Sequence, residues 1–446
     1  MKVLFLNPPN IPFTDKSILI EPIDVLSLAS YVESLGHVVE VLDFDANKQD
    51  ISQIQHYSKF NMVIVVYDNH IPLHKDNSLT SLNYIGEFFK AQSVPTVLIG
   101  KVGTYNPEIL MVINFKLCIR YGHNIEGTLA EILSGKDFAK INNIAYVDNS
   151  KLFINECSNQ VFNIDDLPIT NRKLLNSNNY LEIKSMLTSR GCINNCSFCP
   201  VKNYHGSWQG KSATKVVAEI ENIVKDGVSK IIFLDDNASC DKQRLRDISN
   251  LIIKNKINVK LGLLASFNTY DSDTFRLMYK AGFRWVHFGV ESASEEVLKQ
   301  WNKYFDIQQS KNIIKELKQM GYRVRVSIIF DLEPATETNL NKTIDYLLDT
   351  QPQEIRLHYL VSRIGSNYNK EYNQNSTQYI HCGDVVITKN KDLKLLENKK
   401  NELLTKLSNA NYKIIKNTNE WEEIAKTCDK NLKFISFCPS RYGLGW

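Results

Sequence analysis

The chain has 446 residues, of which 43% are hydrophobic and 23% charged, and a formal net charge of +4. That length exceeds what one ordinary core holds, so several domains are expected, and the composition is that of a folded globular protein, not a fibrous or disordered one. A small net charge with both signs interspersed gives no basis for a nucleic-acid partner. No apolar run reaches the roughly 18 residues that cross a membrane, so a cytoplasmic protein with no membrane partner is expected.

Residues 2–7 read as a buried strand, 24–35 as a helix closed by Gly36, and 37–43, 62–67 and 95–100 as further strands, with a helix at 81–91. Strands alternating with helices build a parallel sheet, so residues 1–138 form a Rossmann-like, doubly wound domain. Open sheets of this kind bind ligands beyond the carboxyl ends of the strands, here residues 7–10, 67–70 and 100–103. Residues 139–181 are polar, carry a turn signal at Asp148 and Asn149, and read as a linker.

Alternation resumes over 182–370, with strands at 183–188, 230–234, 260–264, 285–289, 323–329 and 354–360 and helices at 214–225, 241–254, 271–281, 308–320 and 337–350. This pattern predicts a partial (β/α)6 TIM-like barrel whose site lies at the C-terminal strand ends. Residues 371–446 form a helical extension, and its ending, with Cys438, Arg441, Tyr442 and Trp446, reads as a flap over the barrel mouth or, failing that, as a frayed terminus.

Nine cysteines, an odd number without an export signal, point to reduced thiols and metal ligation, not disulfides. Three of them, Cys192, Cys196 and Cys199, stand four and three apart in TSRGCINNCSFCP, directly after the first barrel strand. Three thiolates can hold three irons of a cubane and leave the fourth iron open to a cofactor. The alternative is a zinc ion completed by His205 in a non-catalytic binding protein; zinc motifs more often pair close cysteines, and none of the other six makes a second pair.

The C-x3-C-x2-C motif with Phe198 before its last cysteine resembles the radical S-adenosylmethionine superfamily. HGSWQGKSATKVVAEI, FLDDNAS, KAGFRWVHFGVESASEEVLKQWNK and GYRVRVSIIFDLEPATE follow in an order similar to the subgroup with an N-terminal cobalamin-type domain. The resemblance implies a 4Fe-4S cluster on the three cysteines and reductive cleavage of S-adenosylmethionine to a 5'-deoxyadenosyl radical. It also implies a reductant such as flavodoxin or ferredoxin, and places Phe198 by the adenine. One departure stands after the fifth strand, where residues 331–337 read DLEPATE in place of a glycine-rich turn.

Further cofactor candidates lie at strand ends. Asp235 and Asp236 either cap the next helix or receive an ammonium group. Glu291, with Gly289 and Ser292, could bond the ribose or the methionine amine, and Ser266 and Ser327 are weaker polar candidates. Arg325 is a candidate clamp, because a barrel strand hides an arginine at high cost unless it meets a carboxylate. His358 and Tyr359 stand between substrate contact and structure.

The first 135 or so residues resemble cobalamin-binding domains through NPP after strand one, IGKVGTYNPEIL and RYGHNIEGTLAEIL. By that resemblance Pro9, Asn10, Tyr67, Gly100, Gly103 and Gly122 would hold cobalamin, while His70 follows the wrong strand to be an axial ligand. Lys101 stands where a glycine usually lets a macrocycle approach. Two catalytic readings follow: a cobalamin-dependent methyltransferase acting on an unactivated carbon of a small metabolite or peptide, or a cobalamin-free radical enzyme performing rearrangement, cyclisation or oxidation.

Overall fold

The computed structural model describes residues 1–8, 20–47, 59–67, 78–175, 180, 182–330, 336–358, 360, 363–368, 379–382, 384–387, 393–415 and 432–436. Among the described residues no helix is long and apolar enough to cross a membrane. The chain divides into two compact units, residues 1–181 with 203–209, and residues 182–202 with 210–446.

The first unit is built on a seven-stranded sheet in the order β2-β1-β3-β4-β5-β6-β7. These strands are β1 Lys2–Asn7, β2 Val38–Asp43, β3 Met62–Val66, β4 Thr96–Ile99, β5 Leu117–Ile119, β6 Ile144–Asp148 and β7 Lys151–Ile154. β1 shows why the sheet is covered on both faces: Val3 and Phe5 enter one apolar cluster, Leu4 and Leu6 a second. The first five strands are parallel, as the alternation with helices requires. β6 and β7 run antiparallel on the β5 edge, so the segment expected to be a linker extends the sheet. Its polar, turn-rich sequence disguises this because β7 sits at the edge with an exposed face.

The second unit holds an eight-stranded sheet whose neighbours are all parallel, β14-β15-β13-β12-β11-β10-β9-β8. The strands are β8 Lys184–Met186, β9 Lys230–Phe233, β10 Lys260–Ala265, β11 Phe283–Glu291, β12 Arg323–Ile329, β13 Glu354–His358, β14 Tyr412–Ile415 and β15 Lys433–Ser436. The six expected barrel strands are present in their expected order. Two more, β14 and β15, come from the C-terminal extension, which is therefore not purely helical. Residues 437–446, including Cys438, Arg441, Tyr442 and Trp446, lie outside the described residues.

The helices between the strands start on side-chain caps. Ser212, Asp241, Asp271, Asp306 and Thr336 each accept a backbone N–H in the first turn of α1 Ala213–Lys225, α2 Lys242–Lys254, α3 Ser272–Ala281, α4 Ile307–Gln319 and α5 Glu337–Thr350. Alternate strand residues then serve two surfaces. Val286, Phe288, Val290, Val324, Val326, Ile328, Ile355 and Leu357 join the apolar core with the helices. The opposite face carries Trp285, His287, Gly289 and Glu291 on β11, Arg323, Arg325 and Ser327 on β12, and Glu354, Arg356 and His358 on β13. That inner face is polar, and it ends in a cleft.

Candidate active site

Cys192, Cys196 and Cys199 leave the end of β8 on one loop and line a single cleft of about 200 Å³. The loop is tied down by its own backbone: Ser197 N–H donates to Trp301 O at 2.8 Å, and Asn302 Nδ2 donates to Asn195 O at 2.6 Å. Phe198 meets the Trp301 ring edge-on at 5.7 Å and also lines the cleft. The loop is held at the cleft.

Around Cys192 the groups favour thiolate. Asn194 N–H and Asn237 Nδ2 donate to its sulfur at 3.4 and 3.6 Å. A hydrogen bond from the Cys240 thiol is the largest cause that holds Cys192 down to about 6, against the opposing effect of burial. Burial raises the Cys196 thiol and pushes Cys199 up to about 12. Among the described residues no three His, Cys, Asp or Glu side chains gather closely enough to grip one metal ion. Three thiols spread around a cleft, with N–H donors on the sulfur of Cys192, fit the corners of a polynuclear iron–sulfur cluster better than a single zinc. His205, the fourth ligand of the zinc alternative, belongs to the first unit.

The other expected residues divide. Asp236, Ser266, Gly289, Glu291 and Ser327 line the same cleft, with Asn194 and Asn237. Asp236 accepts Gly191 N–H at 3.0 Å, which fixes the start of the cysteine loop. Glu291 sits at φ +66 after a bulge in β11, 3.5 Å from Lys303 Nζ. Burial raises its pKa, opposed by the lysine. A side chain on residue 289 would meet the Glu291 carboxylate at 2.3 Å, so glycine there makes room for this ion pair.

Three expected residues do not reach the cleft. Asp235 is buried and accepts Thr188 N–H, Thr188 Oγ1 and Ser189 Oγ at 2.5–2.6 Å, so its carboxylate fastens the end of β8 and does not face a cofactor. Ser292 is buried in a turn, accepting Ser294 N–H at 3.2 Å. Arg325 finds the carboxylate that a buried guanidinium needs, but it is Glu354, at 2.5–2.6 Å, with Trp285 stacked at 4.7 Å; it braces the sheet. Tyr359 lies outside the described residues.

Residues that sequence reasoning passed over include His287, Lys303, Asn194, Asn237 and Cys240. His287 Nε2 is 2.6 Å from Ser327 Oγ. Its alternation with Trp285, Gly289 and Glu291 along one strand was the available signal.

In the first unit Pro9, Asn10, Asp68 and His70 lie outside the described residues. Tyr67 ends β3 buried, its N–H donating to Ile99 O at 2.8 Å. Gly100 precedes a short helical turn, Lys101–Tyr105, at φ +145, a conformation that favours glycine. Gly103 packs on the sheet, where an added Cβ would stand 2.8 Å from Cys118 Cβ. Gly122 is covered by the chain itself: its N–H donates to Tyr204 O at 2.7 Å, and a Cβ would meet His205 Nδ1 at 2.3 Å. Lys101 is buried with its ammonium 4.9 Å from the centre of the Tyr204 ring. At Gly103 and Gly122 the chain's own packing fills the space beside the glycine.

The second unit combines parallel strands, an inner polar face and a three-cysteine loop at the strand ends, and residues 186–347 match the Radical SAM superfamily. Over that stretch the chain is similar to that superfamily. It is 28% identical over 267 residues to an uncharacterised methyltransferase of Pyrococcus horikoshii, covering 57% of this chain and 58% of that protein. It is 31% identical over 171 residues to the anaerobic magnesium-protoporphyrin IX monomethyl ester cyclase of Rubrivivax gelatinosus, covering 37% and 30%. The match thus spans little more than half of these relatives at most. In structure it is similar to the methyltransferase TsrM of Kitasatospora setae, solved with cobalamin and a [4Fe-4S] cluster (TM-score 0.72, 17% identity, 84% of this chain and 74% of that one). It is equally similar to OxsB, solved with aqua-cobalamin and S-adenosylmethionine (TM-score 0.72, 17% identity, 96% and 68%). At that identity the likeness speaks for the fold of both units.

Proposed function

We propose that this chain is a cobalamin-dependent radical S-adenosylmethionine methyltransferase acting on an unactivated carbon of a small metabolite or peptide. What carries this reading is the loop of Cys192, Cys196 and Cys199 opening into a cleft at the carboxyl end of a parallel sheet. Cys192, Cys196 and Cys199 would hold a [4Fe-4S] cluster, which would supply the electron for reductive cleavage of S-adenosylmethionine. The protein's own groups then bind and orient. Phe198 offers a ring face to the adenine, Asp236 and Ser266 offer acceptors on one side, and Glu291, held by Lys303, offers a carboxylate on the other. Electrons come from a reductant such as flavodoxin or ferredoxin.

Cobalamin would supply a carrier for a methyl group, and the fold shared with TsrM and OxsB supports it. A second reading, radical chemistry without cobalamin, is favoured by buried Lys101 and by the covered faces of Gly103 and Gly122. Anaerobic reconstitution with iron, sulfide and hydroxocobalamin, followed by metal analysis, decides between them. About four irons with about one cobalt per chain support the methyltransferase, and about four irons without cobalt support the second reading.

A further inference from the structure

Asn237 stands just beyond β9 with its side-chain amide turned two ways. Its Oδ1 accepts Ser239 N–H at 3.2 Å and Ser239 Oγ–H at 2.9 Å, which caps the helical turn Ala238–Cys240. Two donors at one end of the amide fix which end is oxygen. The nitrogen therefore faces Cys192 and donates to its sulfur at 3.6 Å. Ser239 is itself held: it is buried, and Ser266 N–H donates to its Oγ at 3.0 Å. Asn194 closes the circuit, with its N–H on the same sulfur at 3.4 Å and its Nδ2 donating to Ser266 Oγ at 3.4 Å. A cap alone needs only an acceptor, and aspartate, serine or threonine would serve it. The amide adds an N–H aimed at the Cys192 sulfur, from a residue that is 3% exposed and lines the cleft.

We infer that Asn237 is a positioning residue that acts through Cys192: its N–H raises the reduction potential of an iron–sulfur cluster held on that sulfur. The inference rests on the cleft being the radical site. A reduced cluster carries more negative charge on its sulfur ligands than an oxidised one, so a donor pointed at sulfur stabilises the reduced state more. Burial strengthens the effect, because the N–H dipole is little screened there. Ser239 holds the amide oxygen, so the nitrogen cannot turn away from the sulfur without breaking two hydrogen bonds. The electron comes from the external reductant; Asn237 changes how far that transfer proceeds and takes no part in breaking a bond.

The test is a redox titration of the reconstituted, full-length protein without S-adenosylmethionine, followed by the EPR signal of the reduced cluster and by iron analysis. Asn237→Asp keeps the cap and replaces the donor by an acceptor of the same shape. The expected result is about four irons, as in the wild type, and a midpoint lowered by about tenfold or more in the reduction equilibrium, which is about 59 mV for one electron. Ser239→Ala, which removes one of the two hydrogen bonds on the amide oxygen, is the second variant should Asn237→Asp not fold or not take up iron. It is expected to shift the midpoint in the same direction by less. Arg276→Gln, on α3 and paired with Glu316, is expected to leave the midpoint unchanged. A merely structural Asn237 would change stability or iron content and leave the midpoint of the loaded protein where it was. That outcome, a midpoint raised in Asn237→Asp, or loss of iron in both variants, overturns the inference. A wild type that takes up no iron fails the radical reading instead.

Discussion

The two units end their parallel strands in opposite ways. In the second, the strand ends open into a cleft lined by thiols, carboxylates and an imidazole, and the glycine at 289 makes space for the Glu291–Lys303 pair beside it. In the first, the glycines at 103 and 122 give their space to Cys118 and to His205 of the same unit, and Lys101 is buried against Tyr204. Topology therefore says where a ligand would approach, and side-chain packing decides whether it can.

The sharpest way to break that contrast is at the cysteines. Replacing any one of Cys192, Cys196 or Cys199 by Ala should lower bound iron from about four per chain to below one, and S-adenosylmethionine cleavage by about a thousandfold or more. Retained iron would mean that the cleft is not the cluster site. Next in size, Asp235→Ala strands the buried donors of Thr188 and Ser189 and should cost about 3 kcal/mol in urea unfolding. A loss confined to cofactor affinity would instead return Asp235 to the site. In the first unit, Gly122→Ala presses on His205 and Tyr204 and should cost about 1–3 kcal/mol, whereas a neutral substitution would show an open crevice there. Lys101→Gly sharpens the same point: if the lysine obstructs cobalamin, hydroxocobalamin binding should strengthen by about fivefold.

The smallest effect is on pH. His287 and His358 have pKa values well below the ordinary histidine value, because burial and nearby arginines disfavour their charged forms. Below about pH 6.5 the unfolded chain takes up these protons and the folded one does not. Stability is thus full above that pH and falls beneath it, by about 1.4 kcal/mol per pH unit for each histidine until its folded pKa is reached. Removing one imidazole, as in His287→Gln, should flatten the slope; an unchanged slope would place the linkage elsewhere.

Much of this was legible in the sequence. Period-two strands, capped helices and the cysteine spacing set the order of elements, because those patterns record local geometry. What stayed hidden was which partner a polar residue would find. Arg325 and Asp235 looked like cofactor contacts because sequence cannot show that Glu354, Thr188 and Ser189 satisfy them first. β14 and β15 were missed because β15 joins the sheet beside β13, far away in the chain, and β14 joins it only through β15. His287 was missed although its alternation with Glu291 was in plain view.

The most direct measurement is S-adenosylmethionine cleavage by the anaerobically reconstituted wild type under a low-potential reductant. Formation of 5'-deoxyadenosine and methionine, together with about four irons per chain and loss of both in Cys196→Ala, is the predicted result. Reconstituted protein that carries the irons yet forms no 5'-deoxyadenosine, or that binds one zinc in their place, would contradict the account.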